Sequence, residues 1–225
     1  MIGIGTSLLF DRRAGKGGSP IPPFNDAMVD AWFMSGLSNV DKPSSIRGIK
    51  GNEMQLKNFV FTSESGFGEG SYEGALVFDG VDDYGICTRL PIMTDYTVIC
   101  RRVLENNANN VVASKSIKIG NGAFIFEYGN NATYSFGEYT SIGQNINLED
   151  FVSYQTKNSY NGEKNLVSGS GRDTDTLYLG LLREKDSRCL KGAIYYFALY
   201  DKSLTIEEIE TEKERLNEEW LKRKN

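Results

Sequence analysis

Residues 191–216 read KGAIYYFALYDKSLTIEEIETEKERL. The first half, Ala193 to Tyr200, is a run of aromatic and aliphatic residues with no breaker inside it, which predicts a buried strand. The second half opens at Thr205 with Glu208 three residues on, the spacing of a helix-initiating capping box. Acidic residues (Glu207, Glu208, Glu210, Glu212) crowd the first turns of this predicted helix, and Lys222, Arg223 and Lys224 crowd its end. Both biases favour the helix dipole. Ile206, Ile209, Leu216 and Trp220 form a narrow apolar stripe interrupted by Lys213. Such a stripe suits either a short contact with the body of the domain or packing on a partner chain.

Upstream, the chain is strand-like from about Asn25. Trp32 and Phe33 end the early strand of DAMVDAWF, and Met54 and Leu56 alternate in GNEMQLKNFVF. GALVFDGVDDYGIC gives two strand pieces around a DGVDD turn. DYTVICRRVL places Tyr96, Val98 and Cys100 on one face and Thr97, Ile99 and Arg101 on the other. GAFIFEYG and TYSFGEY are aromatic strands with Asn130 and Asn131 as the turn pair between them. Asn161-Gly162 is a strong hairpin signal, since both residue types accept positive φ. DTLYLGLL and KGAIYYFALY complete the set. About a dozen short strands with glycine turns predict an all-β sandwich or jelly roll. The expected boundaries are an extended arm over 1–24, the sandwich over 25–204 and the helix over 205–225.

The arm contains Pro20, Pro22 and Pro23 beside a glycine cluster, and Arg12, Arg13 and Lys16 make it mildly basic. A neighbouring subunit would order it; fraying is the alternative. Its opening, MIGIGTSLLF, lacks the basic n-region of a secretion signal. GIGTSL lacks the third glycine and the preceding strand of a dinucleotide loop. No apolar run approaches the ~20 residues of a membrane helix, so membrane insertion is not expected.

The 225 residues suit one large domain, and 40% hydrophobic content supports a core. Twenty-four glycines, 12 tyrosines, 12 phenylalanines and only 5 prolines fit short strands and tight turns. A formal charge of −5 argues against nucleic acid as a partner. Histidine is absent, which removes Ser-His-Asp, Cys-His and HExxH chemistry. Cys87, Cys100 and Cys189 are too widely spaced for a CxxC metal motif and sit in apolar contexts. They read as buried thiols of a chain folded in a reducing cytoplasm.

The order of Trp32, LVFDGVDDYG, DYTVICR, SYNGEK, LYLG and finally LKGAIYYFALYDKSLTIEEI resembles the laminin-G-like branch of the concanavalin A-like lectin/glucanase superfamily. The likeness runs from about residue 27 to 212, and its ending carries the most specific pattern. It implies a concanavalin A-like jelly roll whose last strand closes the sandwich before a capped helix. More loosely, the arm and the GNEMQLKNFVF…SGFG segment resemble jelly-roll virion proteins of crAss-like phages infecting gut Bacteroidales. That resemblance implies a head-fibre, decoration or tail-associated role and a virion location.

Glucanases of this superfamily place their carboxylates on one strand as E-x-D-x-(x)-E, about 5 Å apart for a retaining mechanism. The nearest text, ESGFGE from Glu64 to Glu69, has Gly66 where the aspartate belongs. Glu127 and Glu138 lie on neighbouring aromatic strands without evidence that they face each other. Asp79, Asp82 and Asp83 suit either a turn bonding its own amides or a calcium site, and relatives sometimes bind calcium. The turn is the preferred reading, so no metal and no cofactor are assigned. Sugar binding needs exposed aromatic faces beside polar groups, and Tyr128, Tyr134, Tyr139 and Tyr160 are the candidate ligand-binding residues; structural packing explains such aromatics more often, because strands enrich them anyway.

The expected function is therefore a non-catalytic structural and recognition protein of a virion surface. The arm and terminal helix would contact other virion or self subunits, and a host-surface glycan is the further partner. The alternatives are a stand-alone carbohydrate-binding module and a β-glucan hydrolase.

Overall fold

The computed structural model describes residues 23–105, 110–118, 121–129, 131–142, 146–184 and 186–225. Most of the expected arm, and Asn130 of the expected turn pair, lie outside them.

Two antiparallel sheets stack face to face. Sheet A runs in the order β14 (Lys164–Asn165), β13 (Ser159–Tyr160), β12 (Phe151–Thr156), β7 (Thr97–Leu104), β16 (Lys191–Tyr200), β5 (Leu76–Asp79) and β4 (Gly66–Phe67), with β1 (Met28–Phe33) also paired to β16. Sheet B runs β11 (Glu138–Ser141), β10 (Ala132–Ser135), β9 (Asn121–Tyr128), β8 (Val111–Lys118), β15 (Leu177–Leu179), β6 (Tyr84–Cys87), β3 (Glu53–Lys57) and β2 (Ser45–Arg47). The expected all-β sandwich with a C-terminal helix is present.

The stretch that predicts the last strand also forms the middle of sheet A. One side of β16 pairs with β7; the other pairs with β5 over Lys191–Ile194 and with β1 over Tyr196–Tyr200. Both faces of the strand are buried in apolar clusters, which is why AIYYFALY carries no charge. A bulge between Ile194 and Tyr196 shifts the alternation by one residue. Ile194, Phe197 and Leu199 point into the inter-sheet core with Trp32, Phe78, Tyr96 and Phe124, while Tyr195, Tyr196, Ala198 and Tyr200 point the other way. The adjacent tyrosines share a face because of that extra residue.

This outer face of sheet A is covered by α1 (Ile206–Lys224). The capping box forms as the spacing predicts: Glu208 N–H donates to Thr205 Oγ1 at 3.2 Å and Thr205 N–H to Glu208 Oε2 at 2.8 Å. Ile209, Leu216 and Trp220 pack on Ala31, Phe33, Tyr195 and Tyr200, each contributing about 1.5–3 kcal/mol of burial. The helix stripe thus covers the chain's own sheet. Ile206, expected in the stripe, is 60% exposed, and Glu212 takes an inward position, accepting from Tyr200 Oη at 2.8 Å and Asn25 N–H at 3.1 Å. The Trp220 indole donates to Gly74 O at 2.8 Å, and its ring lies where a Cβ on Gly74 would stand, 2.9 Å from Cζ2. Arg101 lies over both the Trp220 and Tyr195 rings, at 4.4 and 4.7 Å from their centroids.

The three cysteines are free and buried, as their apolar contexts predict. Burial pushes the Cys87 thiol up to about 12 and that of Cys189 to about 11. Asn161 and Gly162 both take positive φ (48° and 68°), and Tyr160 pairs with Lys164 across their turn.

Candidate functional site

In β6 and β15, Gly85, Cys87, Leu177 and Leu179 are buried residues, which leaves Tyr84, Ile86 and Tyr178 on the outer face. Following the register from strand to strand on that face gives one continuous row: Ser45, Gln55, Ile86, Tyr178, Ser114, Ile125, Tyr134 and Tyr139. The middle of the row is closed to solvent. Leu182, in the segment after β15, packs on Val111 and Ile125, and that segment is closed by the Leu181–Cys189 bridge.

At the β9–β10–β11 end the row opens into an aromatic ladder. The Tyr128 and Tyr134 rings meet edge to face with centroids 5.8 Å apart, and Tyr134 and Tyr139 do the same at 5.5 Å. Tyr128 and Tyr134 are half-buried, and Tyr139, on the edge strand, is 51% exposed. The hairpin that presents Tyr134 opposite Tyr139 turns at Phe136 and Gly137, both with positive φ (44° and 90°). A phenylalanine accepts that backbone only under constraint, and here its buried ring is held 5.8 Å from Tyr96.

Arg188 completes the ladder's inner end. Its Nε and Nη2 donate to Asp186 at 2.6 Å each, and Nη1 donates to Tyr128 Oη at 3.1 Å. Arg183 adds a second contact to Asp186 at 3.3 Å. Burial pushes the Asp186 carboxyl up, but the Arg188 fork outweighs it and holds the group below the usual carboxylate range. Two guanidinium groups thus surround one carboxylate beside the ladder, while Glu184 of the same segment acts on Tyr84 and Tyr178. Burial raises the Tyr134 hydroxyl, with Tyr128 adding to the shift, so it stays a neutral donor and acceptor. A second, smaller pair, Tyr84 and Tyr178, lies toward β6 with centroids 6.3 Å apart.

Three of the four tyrosines expected from the sequence thus come together, and Tyr160 does not. Its ring is in the inter-sheet core, 7% exposed, and its hydroxyl donates to Glu127 Oε1 at 2.7 Å. The strand period puts Tyr160 on the inward face of β13, where it cannot join an outer surface. Tyr84, Tyr178 and Arg188 were missed; the alternation in DYGIC and TLYLG was the available signal for the two tyrosines.

The candidate carboxylates scatter. Glu64, Glu69 and Glu138 are exposed, whereas Glu127 is fully buried in a two-pronged ion pair with Arg102 at 2.8 and 2.7 Å. Asp79, Asp82 and Asp83 remain together at the β5–β6 corner, one carboxylate oxygen of each within 4.8 Å of the others. Asp79 Oδ1 accepts from Val81 N–H at 2.8 Å, which is the expected self-bonded turn. Asp83 is 1% exposed, and burial pushes its carboxyl up to about 6 against the opposing pull of the Ser65 hydroxyl and the Asp79 amide.

These features define a two-sheet β-sandwich with a tyrosine-rich outer face. No family model matches the chain, and neither does any curated protein. Among solved structures it is similar to Trypanosoma rangeli sialidase in complex with sialic acid, with a TM-score of 0.55, 12% identity, and coverage of 86% of this chain and 33% of that one. It is also similar to the binding domain of botulinum neurotoxin serotype D, with a TM-score of 0.53, 13% identity, and coverage of 83% and 51%. The chain spans about a third and about half of those two proteins. At such identities the likeness shows a shared β-sandwich fold and no more.

Proposed function

We propose that this protein is a non-catalytic recognition module that binds glycans on the outer face of sheet B, at the Tyr128–Tyr134–Tyr139 ladder. The observation that carries the reading is the contact of two half-buried tyrosine rings with an exposed third, Tyr139, on the edge strand. Perpendicular tyrosine rings make a ridged apolar surface edged with hydroxyls, which suits the apolar faces and hydroxyl rims of sugars. Arg188 and Arg183 favour a sugar carrying a carboxylate or sulfate. The burial of Glu127 in an ion pair supports the non-catalytic part of the reading.

A glycan array with the full chain, followed by calorimetry on the strongest hit, tests it. Tyr139→Ala should weaken binding about tenfold or more, equivalent to ~1.4 kcal/mol, while Tyr160→Phe should leave it unchanged. Absence of any hit, or a Tyr139→Ala variant that binds as the parent does, would refute the site.

We place the module on a virion surface, a reading supported by the sequence resemblance and the basic, proline-rich arm. Removing residues 1–22 keeps Phe24 and the Asn25–Glu212 bond. It should therefore leave the melting temperature within about 2 °C of the parent, since Phe24 and its packing on the sandwich are retained. Incorporation into the particle should be lost. Normal incorporation of the truncated chain would exclude the arm as the docking element.

A further inference from the structure

Open sheet edges expose unpaired amides and carbonyls, and folded chains close or blunt them. Three of the four other edges in this molecule are treated in that way by short strands or a side chain, and the fourth by a loop. The outer edge of β4 is closed by Asn39, whose side chain accepts from Phe67 N–H at 2.6 Å and donates to Phe67 O at 2.8 Å. β1 is closed by Ile49, whose N–H donates to Ala31 O at 3.0 Å. β14 and β2 are two and three residues long and carry Lys164 and Arg47. β11, the edge of sheet B beside the tyrosine ladder, has none of these devices. It is four residues long, contains no proline, lysine or arginine, pairs with β10 without a bulge and is exposed along most of its length. The tight turn at Phe136 and Gly137 fixes which of its backbone groups face out. It makes Ser135 and Glu138 a hydrogen-bonded pair, hence Thr133 and Thr140 as well, and Ile142 N–H continues the alternation by donating to Asn131 O at 2.7 Å. The N–H and C=O of Tyr139 and Ser141 therefore point away from β10, and among the described residues nothing bonds them.

We propose that a second copy of this chain pairs antiparallel with the β11 edge, about a two-fold axis at Thr140, to give a homodimer with one continuous outer sheet. In that register Tyr139 of each copy lies opposite Ser141 of the other, and every outward N–H and C=O of both residues finds a partner. Registers centred on Tyr139 or on Ser141 leave some of those groups unpaired. Charge also favours self-pairing. Glu138, the one charged residue of the strand, falls opposite Ile142. The two Glu138 side chains are then offset by about 14 Å along the strands, beyond the ~8–10 Å screening length. Tyr139 and Ser141 share the outer face, so the two Tyr139 rings become diagonal neighbours about 7–8 Å apart, within reach of aromatic contact. The pairing rests on the backbone edge and not on glycan binding, and it sets two tyrosine ladders side by side on one face.

Sedimentation equilibrium of the full chain tests this. The parent should pass from monomer to dimer with a dissociation constant below about 100 µM. Ser141→Pro removes an outward N–H that bonds nothing within the chain, at an edge position where a strand accepts proline. It should weaken the dimer about tenfold or more. Hydrogen exchange on the parent keeps the proposal testable if that variant does not fold. Raising the concentration through the dissociation constant should slow exchange of the Tyr139 and Ser141 amides several-fold, while the Thr140 amide, bonded within the hairpin, stays unchanged. A parent that does not dimerise at about 100 µM overturns the proposal, whether or not it binds glycans. So does a dimer whose Tyr139 and Ser141 amides exchange as in the monomer, or a folded Ser141→Pro variant that dimerises as the parent does.

Discussion

Replacing Glu127 by alanine is expected to destabilise the fold by about 3–5 kcal/mol, the range for removing one partner of a buried ion pair. Arg102 projects from β7 of sheet A across the core, and Glu127 receives it from β9 of sheet B; neither side chain is exposed. The guanidinium donates from Nε and Nη2 to the carboxylate and from Nη1 to Asn147 O at 2.7 Å, while Tyr160 supplies a third hydrogen bond to Glu127. Without the carboxylate, a guanidinium is left charged in a closed interior, and the Tyr160 hydroxyl loses its acceptor. Removing both charges removes that penalty. Arg102→Met with Glu127→Leu should therefore be more stable than either single alanine variant, and should recover most of the loss. Urea melts of the three variants at neutral pH measure this. A Glu127→Ala protein within 1 kcal/mol of the parent, or a double variant as unstable as the sum of the singles, would show that the pair does not lock the sheets together.

The second large effect is expected at Asp30. This carboxylate is fully buried in β1 and accepts from four donors: the amides of Ala31, Lys50 and Asn52 at 2.8 Å and the Asn52 side chain at 2.9 Å. It fastens the loop between β2 and β3, which belongs to sheet B, onto the edge of sheet A. The approach is tight enough that a Cβ on Gly48 would lie 2.3 Å from Asp30 Oδ1. Asp30→Ala leaves several donors without an acceptor, each costing about 1–3 kcal/mol if it stays dry. A loss of about 4 kcal/mol is expected, tempered where the loop opens to water. Native-state hydrogen exchange should localise it: the Lys50 and Asn52 amides should lose protection well before the amides of β16. Retained protection at Lys50 and Asn52 would show that another group holds the loop.

Neither of these polar centres was legible in the sequence. DYTVICRRVL reads as a strand with Arg101 on one face, and the structure agrees; Arg101 reaches the helix and Asp150 at 2.8 and 2.7 Å. The same period places Arg102 on the inner face, where a lone arginine is forbidden unless a partner arrives from the opposite sheet. Nothing local to Arg102 names that partner, because Glu127 is 25 residues away on a strand of the other layer. Asp30 poses the same difficulty, since three of its four donors come from a loop about 20 residues on. The ladder tyrosines were legible as aromatic strand residues in one hairpin. Tyr160 was grouped with them on residue type, though the layer that contains it turns it inward.

By itself the sequence determined the strand-to-helix ending, the capping box, the alternation of β7 and the burial of the cysteines. These are set by neighbours one to four residues apart, through backbone geometry and period. Only the tertiary structure decided which face of each strand is interior, which tyrosines meet and which charges pair. Those outcomes depend on strand order: β16 lies between β7 on one side and β5 and β1 on the other, and β15 lies between β8 and β6. Contacts across sheets join residues far apart in the chain, and their energies exist only once both layers have closed on the same core.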